Sequence, residues 1–243
     1  MQRYQILVEY VGTNFVGWQI QKKGNSIQKV IQSILSRLLK QKIIIYGSGR
    51  TDAGVHALGQ TAHINLPPKL SVDELLQAIN GNLGQDVRID QVEETKDDFH
   101  ARFSATSREY EYHMVKNYSP LTRNYAAELK WDINQDLLNE CARILLGNHD
   151  FTSFCKATAE VEKKSCVINS ASWKESKEML IFKIKANRFL HHMVRYLVGT
   201  SLEVARGRYS IKDFNDLLNN VETDILVVRA PAKGLFLKLV TYD

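Results

Sequence analysis

The chain has 243 residues, 44% hydrophobic and 24% charged, which fits one or two globular domains with a core that needs no disulfide or metal staple. That balance excludes collagen-like, low-complexity and small disulfide-framework proteins, and no apolar run approaches the ~18–20 residues of a membrane span. With 32 Lys and Arg against 27 Asp and Glu the net charge is +5, which permits a polyanionic partner without demonstrating one.

Residues 3–11 are rich in β-branched and aromatic side chains and read as an opening strand, not as the apolar core of a secretory leader, so a cytoplasmic protein is expected. Residues 26–40 repeat apolar positions at helical spacing, with Ser26 as N-cap. Residues 43–46 read as a strand, a glycine-rich loop follows, and residues 60–65 read as the next strand. Ser71 opens a helix to residue 80, and residues 87–89 start another strand. A boundary within residues 96–108 leads to a second series: strand 109–115, helix 136–146, a hairpin of 167–174 and 179–185, helix 190–205 and a closing strand 235–240. Both series run β-α-β-β-α-β. The expected fold is therefore α+β, with two ferredoxin-like halves, residues 1–105 and 106–243, related by pseudo-two-fold symmetry about a central active-site cleft. Cys141, Cys155 and Cys166 are odd in number and lack C-x-x-C spacing, so buried, inert thiols are expected.

The loop that carries chemistry is residues 47–60, GSGRTDAGVHALGQ, in which four glycines surround Arg50, Thr51, Asp52 and His56. An arbitrary Gly-Asp loop is most simply a solvated turn in which Asp52 bonds its own backbone. The loop lacks the lysine of a phosphate-binding P-loop and is not a G-x-G-x-x-G opening a helix. An aspartate acting as nucleophile or general base, held by neighbouring cations, is the open alternative.

Residues 49–57, GRTDAGVHA, match without a gap the signature of the tRNA pseudouridine synthase A family (tRNA-uridine isomerase I), which the chain resembles. Further collinear blocks resemble the same family: residues 11–19 (VGTNFVGWQ), 98–106 (DFHARFSAT), 108–112 (REYEY), 147–154 (GNHDFTSF) and 187–195 (NRFLHHMVR). Two positions depart from its pattern, with Val11 in place of an aspartate and Gly84 in place of a proline. The resemblance implies an isomerase that exchanges the N1–C1′ bond of uridine for a C5–C1′ bond in the anticodon stem-loop of tRNA (positions 38–40), with no cofactor and no metal, in a homodimer. It places the catalytic aspartate at Asp52, which attacks C1′, adds to C6 or removes a ribose proton. A dry pocket disfavours an ionised carboxylate, so a cation beside it is needed. The resemblance puts Arg195 in the active site, and Arg50, in the same loop, on an RNA phosphate or the flipped nucleotide. It also stacks Tyr110 on the target base, whereas Tyr112 reads as core. Reaching a paired or stacked uridine implies base flipping.

Lys22, Lys23, Arg102, Arg108, Lys163, Lys164, Arg206 and Arg208 are candidates for backbone contacts with RNA, each weighed against a plain solvated surface charge. His191 and His192 adjoin in a predicted helix and so share no face, and no histidine spacing reads as a metal site. Thr51 and His56 are expected to order the loop by hydrogen bonds. Two other classes compete: a catalytically silent or diverged RNA-binding paralogue, and a metal-dependent nuclease, which needs clustered carboxylates where the loop has only Asp52.

Overall fold

Tyr4, Ile6, Val8 and Tyr10 alternate as buried positions, which makes β1 (Gln2–Tyr10) a strand with one apolar face. In the computed structural model, which describes residues 1–156, 163–221 and 223–243, β1 lies between β3 (His56–Leu66) and β4 (Val87–Thr95) and pairs antiparallel with both. The short β2 (Ile45–Gly47) pairs antiparallel with the other edge of β3, so the order is β4-β1-β3-β2. The helices α1 (Ile27–Leu39) and α2 (Val72–Asn80) bury Ile27, Ile31, Leu35, Leu75 and Ile79. Leu39 and Leu75 border a small cavity with Tyr4, which puts both helices on the apolar face of β1. Ser26 caps α1 by accepting from the Lys29 N–H, and Ser71 and Glu74 form a reciprocal capping box at the start of α2.

By its contacts the chain divides into two compact units, Met1–Thr106 with Phe236–Asp243, and Ser107–Leu235. The last strand, β10 (Leu235–Tyr242), read from the sequence as closing the second half, pairs in parallel with β3 through Phe236↔His56 and Leu237↔Ala57. Gly59 makes that approach possible, because a Cβ there would lie 2.6 Å from the Lys238 carbonyl oxygen.

In the second unit β5 (Ala105–Val115) pairs antiparallel with β9 (Met179–Ala186), β9 with β8 (Ser165–Glu175), and β8 with β7 (Gly147–Asp150); a two-residue β6 (Ala127–Glu128) runs parallel to β5. Its helices are α3 (Gln135–Ile144), α4 (Met193–Ala205) and α5 (Ile211–Leu218). The chain is thus mixed α+β with mostly antiparallel pairing and five α-helices among the described residues, none long and apolar enough to cross a membrane. Helix α5 was not anticipated, although Ser210 and Asp213 form its capping box and Phe214, Leu217 and Leu218 its buried stripe. The three cysteines are buried and free, and burial raises each thiol above its ordinary pKa.

Candidate active site

In the first unit the signature segment leaves β2, turns, and enters β3 at His56, four residues earlier than the alternation pattern suggests. The turn itself is Asp52 to Val55, closed by the Val55 N–H donating to the Asp52 carbonyl at 3.2 Å, with Gly54 at φ +77°. A positive φ at the third residue of such a turn calls for glycine. Asp52 is half-buried and Arg50, just before the turn, is exposed; its Nε donates to Gln19 Oε1 at 3.2 Å.

The turn is held from several directions. Thr51 Oγ1 and the Tyr10 hydroxyl share a hydrogen bond of 2.7 Å, and the Gly12 N–H donates to His56 Nδ1 at 3.1 Å, so both expected ordering roles have a physical basis. The His56 ring stacks on Phe236 of β10 with centroids 4.7 Å apart. On the entry side, Ser48 donates to Gln60 Oε1 at 2.6 Å, and Gln60 Nε2 donates to the Gly49 carbonyl at 3.1 Å. Ser48 and Gln60 are both buried, so these bonds fix the glycine-rich arm with little competition from water.

Residues 11–19 were matched as a sequence block, but their role against this turn was not foreseen. They approach its backbone at two glycines: a Cβ on Gly12 would lie 2.0 Å from the Val55 oxygen, and one on Gly17 would lie 2.4 Å from the Thr51 oxygen. Gly17 also adopts φ +101°, and the Trp18 N–H donates to the Thr51 carbonyl at 3.2 Å. The buried Trp18 ring occupies the space a Cβ on Gly47 would need. Of the two departures from the family pattern, only Val11 adjoins this frame, through Gly12. Val11 precedes the short 3-10 turn Gly12–Asn14, which consequently has no side-chain cap, and a Cβ on Gly84 would meet open space.

The second unit carries the other two predicted residues. Tyr110 lies on β5 opposite Ile184 of β9, half-buried, with the Phe189 ring at right angles to it and 5.0 Å away. Tyr112 is fully buried and donates to the Pro231 carbonyl at 2.9 Å; burial raises its pKa well above the ordinary phenol value, so it is core, as expected. Arg195 sits in the first turn of α4 with only 9% of its surface exposed, so it is not a solvated surface charge. Its Nε donates to the Ala230 carbonyl at 2.8 Å, while the Ala230 N–H donates to the Arg195 carbonyl at 3.0 Å. Backbone and side chain of Arg195 thus both grip Ala230, which fixes the direction of the guanidinium.

Two sequence readings are corrected here. Helix α4 begins at Met193, not at residue 190, so His191 and His192 precede it; His192 is its left-handed N-cap at φ +68° and the two rings lie 4.1 Å apart. Arg206 is no RNA-contact candidate: it is bound to Glu203 and lies 4.1 Å over the Trp131 ring, with 9% of its side chain exposed. Arg108 donates through Nη1 to the Asn187 carbonyl at 2.9 Å, and nothing in this contact excludes its other donors from an RNA backbone. Lys22, Lys23, Arg102, Lys163 and Arg208 are exposed, as backbone contacts would require.

Comparison with known proteins agrees over the whole length. The profile of a family described as tRNA pseudouridine synthase matches residues 6–104 and 141–243. A tRNA pseudouridine synthase A of Azobacteroides pseudotrichonymphae is 40% identical over 242 residues, covering all of this chain and 97% of that protein. One of Exiguobacterium is 37% identical over 243 residues, covering all of this chain and 99% of its own length. Among solved structures, an H/ACA RNP bound to a substrate RNA containing 2′-deoxyuridine aligns at TM-score 0.39 and 9% identity, over 82% of this chain and 44% of that one.

Proposed function

The chain belongs to the tRNA pseudouridine synthase family, and from this premise we propose that it isomerises uridine to pseudouridine in the anticodon stem-loop of tRNA, with Asp52 as catalytic carboxylate. The observation that carries the assignment of Asp52 is the frame around it. Gly12, Gly17, Tyr10, His56 and Gln60 immobilise a turn whose one ionisable side chain is Asp52, and fixing a reacting group in advance is how a site lowers a barrier without reorganising.

The reaction balances within the substrate. The N1–C1′ bond breaks, the uracil turns, C5–C1′ forms, C5 loses its proton and N1 gains one, with no oxidant and no donor group. Asp52 supplies the carboxylate that opens the N1–C1′ bond. Arg195, aimed by its bond to Ala230, binds an anionic group of the reacting nucleotide. Arg50, exposed beside the turn, contacts RNA phosphate. Tyr110, steadied at right angles by Phe189, offers its ring to the flipped uracil.

We read each unit as a ferredoxin-like half. The antiparallel order β4-β1-β3-β2 with α1 and α2 between its strands supports this for the first, and the succession β5, α3, β8, β9, α4 for the second. The family resemblance also favours a homodimer, which light scattering of the purified chain tests.

The deciding experiment uses unmodified tRNA carrying tritium at uridine C5. The wild-type chain should release tritium to water from anticodon stem-loop uridines. Asp52→Asn should bind the same tRNA with unchanged affinity and release it at least about a thousandfold more slowly. Comparable turnover by that variant removes Asp52 from the chemistry; binding without release by the wild type favours the silent RNA-binding reading.

A further inference from the structure

The helix-free side of the first unit carries a second ordered cluster that the isomerisation does not use. His63 follows Ala62 and precedes Ile64, both buried on the helix side of β3, so its ring projects from the opposite face. The segment 97–104, which contains the DFHARFS block, folds over that ring as a small knuckle. The Ala101 N–H donates to His63 Nδ1 at 3.1 Å, Arg3 Nη1 to the Phe99 carbonyl at 2.8 Å, and the Tyr242 hydroxyl to the Ala101 carbonyl at 2.7 Å. Within the knuckle, Ser104 and His100 exchange hydrogen bonds of 2.8 and 3.0 Å, and the Arg102 N–H donates to His100 Nδ1 at 3.1 Å.

These bonds build a ladder of rings. Tyr46 stacks on His63 with centroids 5.0 Å apart and planes 14° from parallel; His63 meets His100 at 4.5 Å; His100 meets Phe103 at 4.4 Å. The Arg102 guanidinium lies 5.6 Å from the centre of the Phe103 ring. Each imidazole accepts a backbone N–H at Nδ1, so neither carries a second proton there and both present neutral faces. The outer rungs face solvent: Phe103 is 76% exposed and Tyr46 46%. A core would bury such rings, and here a rigid support holds them out.

Flat, neutral ring faces beside a guanidinium suit an unstacked nucleobase with its phosphate better than an aliphatic protein surface. The ladder is also far from the catalytic turn. His63 stands seven residues along β3 from His56, roughly 23 Å at about 3.3 Å per residue. We propose that the ladder from Tyr46 to Phe103 is a second nucleotide-docking platform, which stacks an unpaired base of the RNA substrate remote from the uridine being isomerised. That the RNA is tRNA rests on the proposed function; the stacking chemistry does not.

The test measures the affinity of the full-length chain for an unmodified tRNA transcript at fixed salt, alongside tritium release at saturating tRNA and molar mass by light scattering. Phe103→Ala should weaken binding roughly tenfold, the loss of one base stack, while Phe103→Trp retains it and the saturated rate stays at the wild-type value. Arg102→Ala should lower the slope of log affinity against log salt by about one phosphate contact. Wild-type affinity in Phe103→Ala overturns the proposal. So does a fall in molar mass in that variant, which would make the ladder an interface between copies of the chain. If the wild type binds tRNA and releases no tritium, the isomerase reading fails while the Phe103 comparison still decides the platform.

Discussion

A Cβ at residue 12 would lie 2.0 Å from the Val55 oxygen, and one at residue 17 would lie 2.4 Å from the Thr51 oxygen, so the turn bearing Asp52 is shaped by side chains that are missing. The signature loop is legible from sequence because its chemistry resides in the residues themselves. Gly12 and Gly17 are not, because what each must clear is backbone some forty residues away. His63 is a second such case, reading as one more strand residue until the knuckle covers it. Burial, with His100 and Arg3 nearby, pulls its pKa from 6.5 down to about 4. Between those values the unfolded chain takes up a proton that the folded chain refuses, so the stability from this site is complete above pH 6.5 and is lost as pH falls toward 4. Urea unfolding at pH 7 and pH 4.5 should show His63→Gln losing roughly 2 kcal/mol less than the wild type on acidification. Parallel losses would mean His63 is protonated as readily in the folded chain as in the unfolded.

At the scale of elements, α4 shows how a helix and an irregular segment become one unit. Gly199 passes so close to the Val228 carbonyl that a Cβ would lie 2.1 Å from its oxygen, and the Val228 N–H donates to Thr200 Oγ1 at 3.1 Å. Two residues on, Ala230 is gripped by Arg195. The apolar periodicity of α4 is plain in the sequence, but its start is not. His192 at φ +68° interrupts a run that otherwise looks helical, and nothing local distinguishes that histidine from its neighbours. Thr200→Val keeps the shape of the side chain and deprives the Val228 N–H of its acceptor, so it should cost about 1–2 kcal/mol in denaturant unfolding. Because Val228 lies on the segment that positions the Arg195 guanidinium, the saturated rate of tritium release should also fall by more than tRNA affinity does. Equal losses in rate and affinity would show that this segment does not orient Arg195.

Across the whole molecule, most elements of both series were readable from hydrophobic periodicity, the exceptions being α5 and the short strands β6 and β7. Nor was the partner of the final strand readable. Its pairing with β3 joins Phe236 to His56, a separation of 180 residues that no local pattern encodes. Removing residues 236–243 should unfold the first unit. Phe236, Leu237 and Val240 are buried, and at about 1.5–3 kcal/mol each their loss rivals the stability of an entire domain. Limited proteolysis should then digest residues 1–106 rapidly; resistance equal to that of the full chain would show that β10 is dispensable.

The same strand dictates the order in which the protein can be born. Residues 1–106 leave the ribosome first, yet the groove over Gly59, the ring that stacks on His56 and the Tyr242 hydroxyl that anchors the knuckle arrive only after residues 107–235 have been synthesised. The nascent first unit therefore waits, with an uncovered edge on β3, through the translation of roughly 130 further residues. At about 5–20 residues per second that exposure lasts on the order of ten seconds, long enough for a chaperone to find it.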